Sequence, residues 1–220
     1  MLTCSPRIMP TTKAMLFFEI YERSEIEQAQ AFLAPNYDVI ECGASIGANT
    51  VQIMMRATGK VVAVEADPEL AGILSRNLEE NFGPGHKCAV VNAAVDYSGA
   101  AAVEFSTGSD SLRGRVGSEQ NDPARPKVQV PAVTLESLIA RYGLGDFVMV
   151  LDVEGAEAGI FLHGAEALKK CYRIIGELDG GVADGQWHSA SDLIAHLASV
   201  GFVRIYGHGN RMVFQNSRFS

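Results

Sequence analysis

The sequence predicts a doubly wound α/β fold, with a mostly parallel central sheet, a C-terminal antiparallel strand and helices on both faces. Three observations carry that prediction. Short apolar runs rich in β-branched residues recur at 38–40, 61–65, 87–92, 147–151 and 172–178, the composition of strands buried on both sides. Stretches with apolar residues at helical spacing separate them, giving the strand–helix–strand alternation of a parallel sheet. Near the C-terminus, 202–206 and 212–214 read as two strands joined through Gly207, Gly209 and Asn210 as a hairpin.

The elements follow in order. Residues 1–15, with Pro6, Pro10 and a Thr pair, read as a loosely held tail. Phe17, Ile20, Tyr21, Ile26, Ala29, Phe32 and Leu33 fit one helical face over 17–33, ended by Pro35 and Asn36. The strand at 38–40 runs into Glu41 and the glycine-bearing turn from Cys42 to Gly47, and a helix with Val51, Ile53, Met54 and Met55 follows. Gly59 and Lys60 lead into the second strand. Asp67 and Pro68 then start a helix carrying Leu70, Ile73, Leu74 and Leu78, broken at Gly83, Pro84 and Gly85.

Beyond the third strand, 102–105 and 128–130 read as strands that pair around a long loop containing Ser109, Asp110, Ser111, Leu112, Arg113 and Arg115. Thr134 opens a helix to Tyr142, with Ser137 where a capping box would have an acid. The strand at 147–151 ends at Asp152, and 155–168 is helical with an interruption at Gly164. After 172–178 comes a polar loop at 180–190, then a helix over 189–200 capped by Ser189 or Ser191. The chain reads as an N-terminal tail and helix, 1–36, and one domain, 37–220, without internal repeats.

Composition narrows the function. The 220 residues carry a net charge of -8, which argues against broad binding to a nucleic-acid backbone. No apolar run reaches the roughly 18 residues of a membrane helix. The apolar stretch 14–18 is too short for a signal peptide. Cys4, Cys42, Cys88 and Cys171 are scattered without a Cys-x-x-Cys pair, so a cytoplasmic, disulfide-free enzyme is the expectation. Oligomeric state stays open, a homo-oligomer included.

In such sheets ligands bind at the carboxyl ends of the strands, where strand order reverses. Acids stand at four of those ends: Glu41, Glu65, Asp152 with Glu154, and Glu177 with Asp179, and Asn92 joins them. The turn after Glu41 is expected to aim backbone N–H groups at a ligand, with Gly43 letting that ligand approach the main chain. Glu65, at the end of the second strand, suits two ribose hydroxyls, in a nicotinamide dinucleotide or in S-adenosylmethionine alike. The turn discriminates: Thr50 stands where a dinucleotide turn needs a third glycine. Glu41 would repel a pyrophosphate but suits an amino group.

The segment from Glu41 to Thr50, Glu-Cys-Gly-Ala-Ser-Ile-Gly-Ala-Asn-Thr, resembles the Asp-Val-Gly-Ala-Asn-Ile-Gly-x-x-Thr motif of FkbM-type methyltransferases. Val64 to Pro68 resembles that family's Phe-Glu-Pro-Asp-Pro, Val91 to Ala94 its Val-Asn-Ala-Ala, Val133 to Leu135 its Val-Thr-Leu, and Leu151 to Glu157 its Ile-Asp-Val-Glu-Gly-Ala-Glu. Glu41, Ser45 and Ala66 stand where the family has Asp, Asn and Pro. The resemblance implies a Rossmann-like methyltransferase fold that uses S-adenosylmethionine, commonly to methylate hydroxyls of sugars or natural products. It also implies roles. Glu41, Gly43 and Ala44 would hold the methionine moiety, and Ser45, Gly47, Asn49 and Thr50 of the same motif would also bind the cofactor. Glu65 would take the ribose, and Ala66, Asn92 and Ala93 would flank the adenine. Ser111 and Leu112 would close over the cofactor, and Asp152 would sit at the transfer centre.

An alcohol is a poor nucleophile near neutrality, so a base that takes its proton should help by about 100 to 10,000-fold. Asp152 is the first candidate, then Glu154, Glu177 and His188, which follows Trp187 in the loop after the fifth strand. His163, at a broken helix end, fits a surface or capping role, and Arg113 with Arg115 fits a solvated loop or an anionic acceptor. No metal site is expected: Asp152, Glu177 and Asp179 could hold magnesium, but separate strands give no fixed ligand spacing. Two other readings remain at this stage, a nicotinamide-dependent oxidoreductase and a non-catalytic nucleoside-binding subunit.

Overall fold

The computed structural model describes residues 23–107, 115–116, 127–153 and 155–219. Helix α1 (Arg23–Phe32) precedes strand β1 (Asp38–Cys42), helix α2 (Ala48–Arg56), strand β2 (Val61–Glu65), helix α3 (Pro68–Phe82) and strand β3 (Cys88–Asn92). Next come β4 (Ala94–Val95), β5 (Ala102–Ser106), β6 (Arg115–Val116) and β7 (Lys127–Val133). Helix α4 (Leu135–Tyr142), strand β8 (Phe147–Leu151), helices α5 (Glu157–His163) and α6 (Ala165–Leu168) and strand β9 (Cys171–Glu177) complete the alternating core. The chain ends with β10 (Gly180–Ala183), β11 (Gln186–Ser189), α7 (Ala190–Ser199), β12 (Phe202–His208), β13 (Arg211–Asn216) and a short 3-10 turn.

Seven strands form the central sheet in the order β12-β13-β9-β8-β1-β2-β3. β1 pairs in parallel with both β2 and β8, and β13 runs antiparallel to β9. The chain winds outward from β1 to β3 and then returns to the other side of β1, so strand order reverses between β1 and β8. Alternation along the buried strands feeds two cores. Ile40, Val62 and Met149 pack with α4, α5 and α7 through Leu138, Phe161 and Leu193. Val39, Val61 and Val148 pack with α2 and α3 through Ile53, Leu74 and Leu78. The doubly wound expectation, with its antiparallel C-terminal strand, describes this sheet.

Local chemistry explains the boundaries. The Asp67 carboxylate accepts from the Glu69 and Leu70 amides at 2.8 and 3.3 Å, closing the open first turn of α3. At α4 the capping box forms without an acid: Thr134 accepts from the Ser137 amide, and the Ser137 hydroxyl accepts from the Thr134 amide at 3.1 Å. A hydroxyl serves as well as a carboxylate because one acceptor atom is all the reciprocal bond needs.

Two stretches expected to be loops contain strands. Residues 115–116 pair with β5, which also pairs antiparallel with β7 as expected. The 180–190 loop is instead the β10–β11 hairpin, turned by Asp184 and Gly185 with φ of 53° and 73°, the paired left-handed conformation of a two-residue hairpin turn. No described helix is long and apolar enough to cross a membrane.

Candidate active site

β1 leaves the sheet at Cys42 and meets the end of β8 at the reversal of strand order. Gly43 has φ +86°, and a Cβ there would lie 1.8 Å from the Asp152 carbonyl oxygen. The adjoining Asp152 amide donates to the Cys42 carbonyl at 3.0 Å. The close approach that Gly43 permits is therefore to the next strand's backbone, where a ligand was expected. The turn's amides are likewise directed inward: those of Gly43 and Ala44 donate to the Val64 carbonyl at 2.9 and 3.0 Å, and that of Gly47 donates to the Ala44 carbonyl at 2.9 Å. These bonds weld the turn to β2. Gly47, at φ +88°, also makes room for Leu74, whose Cδ1 lies 2.5 Å from where its Cβ would be.

Gly47 caps α2 in the left-handed region, and its position turns Asn49 and Thr50 toward β1. Asn49 Nδ2 donates to Glu41 Oε1 at 2.9 Å, and Thr50 Oγ1 donates to Oε2 at 2.6 Å. Both partners and the carboxylate are buried. Burial pushes the Glu41 carboxyl up to about 7; the Thr50 and Asn49 bonds oppose this, and the Asp152 and Glu65 charges add to it. Glu65 is held in the same manner, by backbone: Oε2 accepts from the Ser45 amide and Oε1 from the Asp67 amide, both at 2.7 Å. Burial raises it to about 7 as well, with those two bonds opposing.

Asn92 Nδ2 donates to the carbonyls of Glu65 and Ala66 at 2.9 and 3.0 Å, and the Ala93 amide donates to the Glu65 carbonyl at 3.1 Å. Ala66, Asn92 and Ala93 thus sit together at the ends of β2 and β3, with the small sheet of β4 to β7 packing Phe105 and Val130 beside Ala66.

Glu41, Gly43, Ala44, Asn49, Asp152 and Glu177 line one cleft between the ends of β1, β8 and β9. Asp152 is exposed at its mouth, whereas Glu177 is half-buried. Asn210 Nδ2 donates to Glu177 Oε2 at 2.8 Å and to Asp179 Oδ1 at 3.0 Å, tying the end of β9 to the β12–β13 turn. Among the described residues no group of three or more His, Cys, Asp or Glu side chains gathers to hold a metal ion.

Gln28 of α1 also lines the cleft, a residue that sequence reasoning missed. It is buried, and its Nε2 donates to the Met212 carbonyl at 3.2 Å. The available signal was a polar residue one helical turn before Phe32, on the apolar face.

The β10–β11 hairpin packs against α5. A Cβ on Gly181 would lie 2.2 Å from the Gly155 carbonyl oxygen, and Ala183, on the same face, is buried. His188 pairs with Gly181 across the strands and is half-buried; its charge lowers the Asp192 carboxyl, after the two Ser189 hydrogen bonds. It does not line the cleft with Asp152. His163 is exposed at the end of α5, in keeping with the expected surface or capping role, and its Nε2 lies 3.2 Å from Asp184 of the hairpin turn. Cys42, Cys88 and Cys171 are buried free thiols. Ser111, Leu112, Arg113, Glu154 and the Arg115 side chain lie outside the described residues.

The arrangement fits S-adenosylmethionine at the methionine end. Ser45 Oγ and Asn49 Oδ1 are buried with no hydrogen-bond partner among the described residues, which leaves a donor and an acceptor unspent on the turn after Glu41. The Glu65 carboxylate accepts from the Ser45 and Asp67 amides, with the Ala66 amide as a weaker third donor, and with two oxygens it can still accept from ribose hydroxyls.

A family model described as the methyltransferase FkbM domain matches residues 41–204. Among solved structures, magnesium protoporphyrin IX methyltransferase from Synechocystis PCC 6803 with bound S-adenosylmethionine superposes with a TM-score of 0.53 at 10% identity, covering 94% of this chain and 83% of its own. A protein of the NADB-Rossmann superfamily from Streptococcus agalactiae gives a TM-score of 0.52 at 11% identity, covering 88% of this chain and 68% of its own. At such identities the likeness is one of fold. No curated protein matches the sequence.

Proposed function

The chain belongs to the FkbM family of S-adenosylmethionine-dependent methyltransferases, and from that premise we propose that it methylates a hydroxyl of a sugar or another small molecule at the cleft between β1 and β8. The observation that supports this best is the pair of unlike carboxylates at the reversal of strand order: Glu41 buried on the inner wall, Asp152 exposed at the mouth.

S-adenosylmethionine supplies a methyl group already activated by its sulfonium. The protein's tasks are to bind, align and exclude water. On this reading Glu41, Gly43, Ala44, Ser45, Gly47, Asn49 and Thr50 form the methionine end, with Ser45 Oγ and Asn49 Oδ1 offering their unspent bonds and ionised Glu41 offering negative charge to an ammonium group. Thr50 and Gly47 act indirectly, one holding Glu41 and the other setting the helix. Glu65 takes ribose hydroxyls, with Ala66, Asn92 and Ala93 beside the adenine.

Asp152 orients the acceptor hydroxyl and receives its proton on a carboxylate oxygen. Glu177, in the same cleft, is the next candidate for that proton, followed by Glu154. Helix α1, which precedes the family match, adds Gln28 to the wall.

The test is a panel of sugars, other polyols and amines incubated with S-adenosylmethionine, with released S-adenosylhomocysteine as the readout. Hydroxyl acceptors should give turnover that depends on the acceptor. Turnover on amines and none on hydroxyls would contradict the reading.

A further inference from the structure

The strongly polar side chains that line the cleft at the ends of β1, β8 and β9 are Gln28, Glu41, Asn49, Asp152 and Glu177. None is a cation, and the two amides are oriented by partners that can only accept. Asn49 Nδ2 donates to Glu41 Oε1 at 2.9 Å, and Gln28 Nε2 donates to the Met212 carbonyl at 3.2 Å. Turning either amide over would set its oxygen against another oxygen, so both orientations are fixed. Asn49 Oδ1 is buried with no hydrogen-bond partner, and no described residue donates to Gln28 Oε1. Glu41, Gln28 and Asn49 are at least nine-tenths buried, with 2%, 7% and 9% of their surface exposed. What these three leave for the cleft is therefore a set of acceptors, in a place where an acceptor needs a donor. Gln28 is also held by its helix. Gln30 Nε2 donates to Gln52 Oε1 at 2.9 Å, and the Arg173 guanidinium donates to the Phe32 carbonyl. Helix α1 is thus tied to α2 and to β9, the elements that carry Asn49 and Glu177.

We infer that Gln28 is a cofactor-binding residue, and that its amide oxygen joins Glu41 and Asn49 as the third acceptor for the cofactor's ammonium group. This rests on the S-adenosylmethionine reading and adds to it a residue of α1, outside the segment 41–204 that the family model matches. Number favours an ammonium: it brings three N–H donors and no acceptor to three acceptors. Size agrees. The cleft measures about 20 Å³, room for one group the size of a water molecule. Charge agrees as well, because Glu41, with Asp152 and Glu177 at the same cleft, favours a cation over a neutral or anionic group. A water molecule would bring only two donors and no charge.

The test uses the full chain and two ligands that require no turnover: S-adenosylhomocysteine and its desamino analogue, which lacks only the α-amino group. Both affinities are measured by calorimetry, and their ratio is compared between proteins. The parent should bind S-adenosylhomocysteine about 100-fold or more tightly than the analogue. Gln28→Met keeps the bulk and loses both ends of the amide. Its ratio should fall about ten-fold, with the analogue bound within about two-fold of the parent. Gln28→Glu separates the two ends: it keeps an acceptor for the ammonium and gives up the donor to Met212. Its ratio should stay at or above the parent's.

The inference is overturned if Gln28→Met keeps the parental ratio, or if Gln28→Glu loses as much of it as Gln28→Met, because Gln28 would then serve only to tie α1 to β13. A parent that binds the analogue as tightly as S-adenosylhomocysteine would overturn it too. A parent that binds neither ligand would overturn the cofactor reading and this inference together. Failure of the proposed hydroxyl methylation would show in the acceptor panel and leave these ratios as expected, so the two failures are distinguishable.

Discussion

The Asp152 carbonyl occupies the space of the side chain that Gly43 lacks, 1.8 Å from where its Cβ would be. Through this contact the glycine turn after β1 and the end of β8 form one unit, and the site's inner wall and its mouth are held in register. Gly43→Ala would drive a methyl group into backbone and impose φ +86° on an L-residue. The expected loss is about 3 kcal/mol or more in denaturant unfolding. A variant with parental stability would mean that the two strands can part at no cost.

Glu41 depends on two neutral donors for its place inside the protein. Thr50→Val keeps the shape and removes the 2.6 Å bond to Oε2. Leaving a buried carboxylate oxygen short of its donor should cost about 1–3 kcal/mol of stability. S-adenosylhomocysteine affinity should fall with it, as measured by calorimetry.

Burial raises Glu41 from 4.5 to about 7, so between those values the folded chain keeps a proton that the unfolded chain gives up. Stability from this group is therefore fully present below pH 4.5 and is lost as pH rises through about 7. Glu41→Gln keeps both partners, because the Thr50 hydroxyl can turn and accept. Relative to that variant, the parent should lose roughly 3 kcal/mol between pH 4.5 and pH 7 in denaturant unfolding. The same ionisation creates the charge that an ammonium group would meet, so S-adenosylhomocysteine affinity of the parent should rise over this window. A parent that gains stability over Glu41→Gln as pH rises would have the sign wrong.

Cys42 and Cys88 are pushed up to about 12, chiefly by burial, and burial raises Cys171 further. All three thiols should resist maleimide in the native protein and react only after unfolding, as read by peptide mapping.

The parallel core was legible in the sequence because its signals are local. Runs such as Val61 to Val64 are strands wherever they lie, and Asp67 with Pro68 starts a helix by itself. The acids at the strand ends were legible too, since topology alone brings them to one edge. Their environments were not. That Glu41 is held by Asn49 and Thr50 depends on how Gly47 phases α2. The glycines pointed to a tight turn, but whether a ligand or Asp152 fills the space beside Gly43 is a tertiary fact. The β10–β11 hairpin had its signal in Asp184 and Gly185. Gly180 and Gly181 disguised the first strand, because Gly181 is there to meet Gly155, a contact that spacing does not reveal. Gln28 was hidden for a similar reason: its value comes from the carbonyl of Met212, far along the chain.

The most direct measurement compares Asp152→Asn with the parent on an acceptor that the parent methylates. Cofactor affinity should stay within about two-fold while turnover falls by about 100 to 10,000-fold, as for the loss of a group that takes a proton during transfer. Parental turnover by Asp152→Asn, with S-adenosylhomocysteine bound as tightly as before, would contradict the assignment of the transfer site to the mouth of this cleft.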